Sequence, residues 1–457
     1  MLLVLLACHA PAPSIPDRAT GTAAAETYAP GSPVEALEVA LGEVPTVLHV
    51  RWRTSMPSVS TVTGTLGDEQ IVVTETTAST EHDVVLAGFP ARAAVTVAVD
   101  VLDEEGVDAE TTVTTGALPA WVPDLTFTAD VPEAAAGGFT VAALIDLTGG
   151  APLIVDGAGR PVWAQDRVTQ GAITRARLSL DGAAVLYNGL PYSVDRPGTL
   201  TRVPLDGGAA ETISVNGIHT DFVELPSGGY AALGWDLRTF GDRQILGTTI
   251  VEIEPDGASR VVWSVFDDFM PDLGFTYPSG YAADDTVEDW SHINGLFYDA
   301  AEDDYYVTMT WIDGVARVDR GTGELVWTVS RHGGDFATVG APVLEQPHSV
   351  QRTAEGLLVF NRGYPQDRDT CSEAVELVLD EAAGTVTNTM QHRSDRCLLV
   401  TYLGSAARLD GGNTLVSWST AGQMDELTPE GELAWQVSAP VGAAFGFAER
   451  VARLGGE

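Results

Sequence analysis

Positive charge is scarce in this chain of 457 residues: 24 Lys and Arg stand against 64 Asp and Glu, a formal net charge of −40. A nucleic-acid binder neutralises phosphates with a basic face, so this balance excludes nucleic acid as a partner. The same excess of carboxylates gives a solvated, self-repelling surface suited to a salty exterior. Cysteine is nearly absent, with three in the chain. No two stand as CxxC, which argues against a cysteine-built zinc site. Strongly helix-forming runs are almost missing. In their place are short apolar runs cut by Gly, Asp and Pro, with 48 glycines in all, and this pattern reads as an all-β protein. The length allows more than one domain and a large buried core.

The N-terminal apolar run, Met1 to Ala7, is too short to span a bilayer as a helix. It ends in a small residue and Cys8 and lacks a charged n-region. It resembles the last part of a bacterial lipoprotein signal, which implies lipidation at Cys8, a lipid anchor to the membrane, and export to the periplasm or cell surface. Residues 1–32 then form a signal and a flexible tether rich in Ala, Pro, Thr and Gly. The other cysteines, Cys371 and Cys397, flank one strand-rich segment. An exported chain can bridge them; two unpaired thiols is the other reading.

Residues 33–118 alternate strand and turn. Val47 to Thr54 carries Trp52 in an apolar/polar alternation, and Ala94 to Val101 alternates likewise. About seven short strands with an early Trp suit an immunoglobulin-like sandwich. The segment looks like a fibronectin type III domain, with His49 and His82 as ordinary sandwich residues.

From 119 to 457 a repeat appears: an apolar strand, a tight turn around Asp or Gly, then a strand that often ends in Trp. It occurs around Asp156-Gly157 with Trp163, Asp256-Gly257 with Trp263, Gly321-Thr322-Gly323 with Trp327, and Glu430-Gly431 with Trp435. Two copies lack the Trp, at Asp206-Gly207 and at Asp380 to Gly384. Six hairpins in units of roughly fifty residues predict a six-bladed β-propeller. The C-terminal run Phe445 to Leu454 is left to pair with the first blade near Phe139–Ile145, which would remove open edges.

Each blade has an earlier strand pair before its hairpin. Aligned on the turns of those pairs, His219, His292 and His348 fall at one register, where the innermost strand begins. The equivalent positions elsewhere lie near Thr174 and Gly404-Ser405. Three imidazoles are therefore expected at one mouth of the central channel. Asp221 stands two residues after His219 and is expected to orient that ring by accepting a ring N–H. His9, His332 and His392 share no such register.

The segments His219-Thr220-Asp221-Phe222, Asp289-Trp290-Ser291-His292-Ile293-Asn294, and His348 followed by Leu357 to Gly363 resemble motifs of bacterial aryl-sulfate sulfotransferases. That family is exported and six-bladed, with an N-terminal β-sandwich. The resemblance implies ping-pong sulfuryl transfer from a phenolic sulfate donor to a phenol acceptor, through a sulfated histidine and with neither nucleotide donor nor cofactor. It makes His348 the nucleophile. His219 and His292 would bind sulfuryl oxygens or move protons, and Asn294 would hydrogen-bond the spreading charge. The family places an arginine where this chain has Thr310, beside Trp311. Arg352, Arg331 or Arg362 are the candidates to replace it. A non-catalytic propeller that binds a small anion is the rival reading, and a three-histidine zinc site is the third. The third ranks last, because a ring nitrogen that carries a sulfuryl group cannot also ligate a metal.

Overall fold

The computed structural model describes residues 26–102, 107–169, 171–191, 193–194, 196–274, 276–279, 286–340, 344–364 and 370–455. Cys8 and His9 lie outside them. The described chain is all-β: one four-residue helix, Val265–Asp268, and three 3-10 turns interrupt the strands. No described helix is long and apolar enough to cross a membrane.

The N-terminal strands form two sheets. One has three strands, Val34–Leu41, Leu48–Ser58 and Ser79–Leu86; the other has five, with Glu69–Thr74 at one edge. Alternation explains how they face each other. Leu48, Val50 and Trp52 point inward, and Arg51 and Arg53 between them reach across to Asp83 and Glu81 at 3.0 Å each. The two inner faces share one core with Val62, Val84, Phe89, Val97 and Val99. His82 is a satisfied core residue. It stacks on Trp52 at 4.6 Å, its Nδ1 meets Glu75 at 2.8 Å and its Nε2 meets Thr54 at 3.0 Å.

Six sheets follow, each built on four antiparallel strands; two also carry a parallel pairing, Val287–Asp289 on Arg243–Ile253 and Ala337–Val339 on Thr385–Arg393. They run from Phe139–Asp146 to Pro161–Ala164, Ala176–Leu178 to Glu211–Asn216, Ile218–Glu224 to Ser259–Ser264, Ile293–Asp299 to Leu325–Ser330, Pro347–Arg352 to Thr385–Arg393, and Ser405–Arg408 to Leu433–Ser438. The six hairpins seen in the sequence are the outer strand pairs of these sheets. Trp163, Trp263, Trp327 and Trp435 sit opposite Ile154, Ile250, Arg317 and Glu426, and all four are buried. The first sheet takes its inner strand from the C-terminus: Ala444–Val451 pairs with Phe139–Asp146, Phe139 facing Val451 and Ile145 facing Ala444.

The inner strands form a closed cycle of contacts. Phe447 N donates to Thr174 O at 3.0 Å, and Asn188 Nδ2 to Thr220 O at 2.9 Å. Leu296 N donates to Asp221 at 2.9 Å. Gly295 lies so close to the His348 carbonyl that a Cβ there would fall 2.7 Å from it. Ala406 N donates to Ser349 and Ala448 N to Ser405, both at 3.1 Å. Each strand thus contacts the next sheet and the last contacts the first. Val44, Val47 and Ala87 of the N-terminal unit pack against Ile154, Val162 and Trp163, which docks it on the first sheets of the cycle.

Candidate active site

The three histidines stand where inner strands begin, and each of those strands is bulged there. The pairing register shifts between His219 and Phe222, between Ile293 and Gly295, and between Pro347 and Ser349. A bulge bends its strand and re-aims one side chain out of the alternation, so the same irregularity recurs where chemistry is expected. The backbone is left-handed at Thr220 (φ 37°), His292 (φ 44°) and Gln346 (φ 52°). A β-branched residue in that region is strained, and such strain gathers at functional sites.

His348 is 2% exposed, and its Nδ1–H donates to the Gly404 carbonyl at 3.0 Å. A carbonyl only accepts, so this bond fixes the tautomer and leaves the lone pair on Nε2. Burial holds its pKa well below the ordinary histidine value. The Arg362 guanidinium adds to this, with smaller contributions from His292 and Arg175, while the Gly404 bond acts the other way. The ring is therefore neutral at neutral pH, with its basic nitrogen unspent. Phe447 closes one side at 5.2 Å between ring centroids.

His292 bonds Asp289 through Nδ1 and is part-exposed. A carboxylate on one ring nitrogen lets the other accept and return a proton. Charge on His292 lowers the pKa of both His219 and His348, so His292 lies within electrostatic reach of the other two rings. His219 stacks on Trp235 at 3.6 Å, and its Nδ1 meets the Thr220 hydroxyl at 2.9 Å. Burial first, then His292, depresses its pKa well below normal. Its Nε2 makes no hydrogen bond of normal geometry, although the Gly234 carbonyl weakly favours the protonated ring. Asn294 Nδ2 donates to the Thr310 hydroxyl at 2.6 Å, which donates to the Pro347 carbonyl at 2.8 Å. Thr310 thus braces the strand that carries His348.

Two expectations are corrected. Asp221 does not orient His219. The bulge turns it the other way, where Oδ1 and Oδ2 take a two-pronged bond from Arg175 at 2.8 and 3.0 Å, and Oδ2 also accepts Leu296 N. Arg352 is not at the centre. It closes its strand at the far end, with Nη1 on the Thr353 and Gly356 carbonyls at 2.6 and 2.8 Å. Arg331 is likewise committed, to Glu345 and the face of Tyr364. Three residues near the rings had gone unassigned. Asp289 lies inside the Asp-Trp-x-His-x-Asn motif, three before the histidine it holds. Arg175 follows the aligned position Thr174, and its guanidinium covers Phe447 at 4.0 Å. Trp311 stands 5.3 Å from His292 and 4.5 Å from Tyr277, a short aromatic wall.

Cys371 and Cys397 are joined by a disulfide. No group of three or more metal-ligating side chains suited to an ion occurs among the described residues. A cleft of about 840 Å³ lies between strand Glu69–Thr74 and the first sheet, and none of the three histidines lines it. Chemistry rather than room locates the candidate site.

A neutral, tautomer-fixed imidazole, with a carboxylate-held imidazole and two guanidiniums within electrostatic reach, makes a candidate site for handling an anion on an all-β scaffold. The sequence profile of the family Arylsulfotransferase (ASST) matches residues 148–436, more than half of the chain. The chain belongs to that family. No curated protein matches it. Among solved structures it is similar to the periplasmic gluconolactonase PpgL of Pseudomonas aeruginosa, at 16% identity over 69% of this chain and 99% of that one, TM-score 0.41. It is also similar to the β-propeller domain of Cps50 (Swd1) from Myceliophteria thermophila, at 14% identity over 71% and 88%, TM-score 0.41.

Proposed function

We propose that the chain moves a sulfuryl group from an aryl sulfate to a phenol through a sulfohistidine at His348, without a nucleotide donor. One observation carries this reading: a buried neutral imidazole whose Nδ1 is tied to Gly404, leaving an Nε2 lone pair near two guanidiniums. In the first step the His348 Nε2–S bond forms as the S–O(aryl) bond breaks. The departing phenolate takes a proton from His292, whose ring Asp289 holds through Nδ1. In the second step the acceptor phenol gives its proton to His292, its oxygen attacks sulfur, and the N–S bond breaks to restore neutral His348. His219, backed by Trp235, and the second N–H of Asn294 serve as donors to sulfuryl oxygens. The Trp311–Tyr277 wall suits the aryl ring.

The same reading makes the six sheets the blades of a six-bladed propeller and the N-terminal unit a fibronectin type III-like sandwich. It makes the protein an exported lipoprotein acylated at Cys8. Thr310 in place of an arginine favours a second reading, a propeller that binds aryl sulfates without turnover. The test is release of 4-nitrophenol from 4-nitrophenyl sulfate in the presence of phenol, for the wild type and His348→Ala. Loss of release in the variant supports transfer through His348. Equal release from both removes the nucleophile, and binding without release points to the second reading.

A further inference from the structure

Arg362 is 5% exposed, yet among the described residues no carboxylate lies within 4.0 Å of its guanidinium. Its Nη1 donates to the Thr401 carbonyl at 3.1 Å and its Nη2 to Gln346 Oε1 at 2.7 Å, both neutral acceptors. Its Nε is buried with no acceptor at all. Other buried arginines are compensated: Arg175 by Asp221 and Arg450 by Glu426. The groups whose charge favours the protonated Arg362 are Tyr402 first and then Asp313, and the Asp313 oxygens are already taken by His332, Tyr364 and Gln346 N. Burial pushes the guanidinium down to about 10 without making it neutral at working pH. A buried cation without a counter-charge is costly, by several kcal/mol in general. Such a cost is kept where an anion arrives to cancel it.

The sheet register says where that anion would sit. Asn361 pairs with Pro347 and Phe360 with Ser349, so Arg362 follows the strand end that flanks the bulge at His348, and its Nη2 reaches Gln346 just before that bulge. Its guanidinium lies over Trp311, 5.7 Å from the ring centroid. Thr310, next in the chain, spends its hydroxyl on Pro347 and Asn294 and brings no charge. Arg175 also acts on His348, but its charge is already matched by Asp221. One guanidinium without a counter-charge therefore lies against Trp311 and within electrostatic reach of the nucleophile.

We infer that Arg362 is the residue that holds the oxyanion in this centre, and that the N–H groups left over after its bonds to Thr401 and Gln346 bind inorganic sulfate in competition with aryl sulfates. The inference rests on reading the centre as a sulfuryl-transfer site. Two of the four oxygens of the tetrahedral anion meet the guanidinium, and the other two are left to face the histidines.

The experiment compares wild type and Arg362→Met by thermal unfolding in sodium sulfate against sodium chloride of equal ionic strength, and by 4-nitrophenyl sulfate turnover. Sulfate should raise the wild-type Tm in a saturable way and inhibit turnover competitively. Arg362→Met should lose the sulfate response, and its turnover should fall on the order of a hundredfold or more. A wild type indifferent to sulfate, or a variant that keeps the response, overturns the inference. If Arg362→Met does not fold, Arg362→Lys replaces it: a point charge cannot fork two oxygens, and its sulfate affinity should weaken about tenfold or more. An unchanged affinity also overturns the inference. Failure of the transfer reading looks different. Sulfate would then still protect the wild type alone, while neither protein released nitrophenol. If instead His348→Ala were inactive and Arg362→Met fully active, transfer would stand and the role of Arg362 would fall.

Discussion

The Asp221→Asn substitution tests the packing of the centre most sharply. The carboxylate is fully buried and makes four hydrogen bonds: Oδ1 accepts from Arg175 Nε and Phe222 N, both at 2.8 Å, and Oδ2 from Arg175 Nη2 at 3.0 Å and Leu296 N at 2.9 Å. Asparagine keeps the shape but has one acceptor oxygen. Its amide must face two donors, so two of the four bonds are lost. The charge is lost as well, and Arg175, with a side chain only 11% exposed, becomes an uncompensated cation. Removing one partner of a buried pair costs about 3–5 kcal/mol. The Leu296 bond joins two neighbouring sheets, so the loss should appear in global unfolding, as a lower urea midpoint at unchanged slope. Arg175→Met should be costly for the mirror reason, since it strands the carboxylate. The double variant should be more stable than the two single effects predict, by about 2 kcal/mol or more. A cost under about 1 kcal/mol for Asp221→Asn, strictly additive with Arg175→Met, would refute the pair as the anchor of the cycle.

Other consequences follow from the same geometry. Asp289→Asn removes the carboxylate bonded to His292 Nδ1, the contact that orients the proposed proton carrier, so kcat should fall by about 10²–10⁴ in a folded protein, as a stopped or continuous nitrophenol assay would show. His348 must be neutral to attack, and its pKa is depressed by burial and then by Arg362. As pH falls, activity through this group should persist below the ordinary histidine value. Wherever residual turnover of Arg362→Met is measurable, the acid limb of its kcat/KM profile should move up, because one depressing charge is gone. Cys371 and Cys397 are 26 residues apart, and closing such a loop stabilises by about 3–4 kcal/mol; dithiothreitol should lower the Tm accordingly.

The histidine register was legible because a strand pair and hairpin recur in every sheet, so a shared offset from the turn maps onto a shared place in the cycle. The final pairing of Ala444–Val451 was legible for a related reason: one apolar strand was left over and the first sheet lacked one. Side-chain direction was not legible. Strict alternation leaves Asp221 beside His219, but the bulge between His219 and Phe222 breaks the count and delivers the carboxylate to Arg175. Arg352 and Arg362 both follow His348 in sequence, and only strand pairing separates them. Arg352 ends the strand at the outer turn, while Arg362 follows the end of the partner strand, next to the bulge at His348. Asp289 reaches its histidine because the excursion after Val265–Asp268 returns as strand Val287–Asp289, laid parallel to Arg243–Ile253.

The central claim is that His348 Nε2 becomes bonded to sulfur during turnover. Acid-free quenching of the protein with 4-nitrophenyl sulfate and no acceptor, followed by peptide mass analysis, addresses it directly. The account predicts the added mass of one SO₃ group on the peptide carrying His348, discharged when phenol is supplied. Nitrophenol release with no adduct at His348, or with the adduct on His219 or His292, would contradict it.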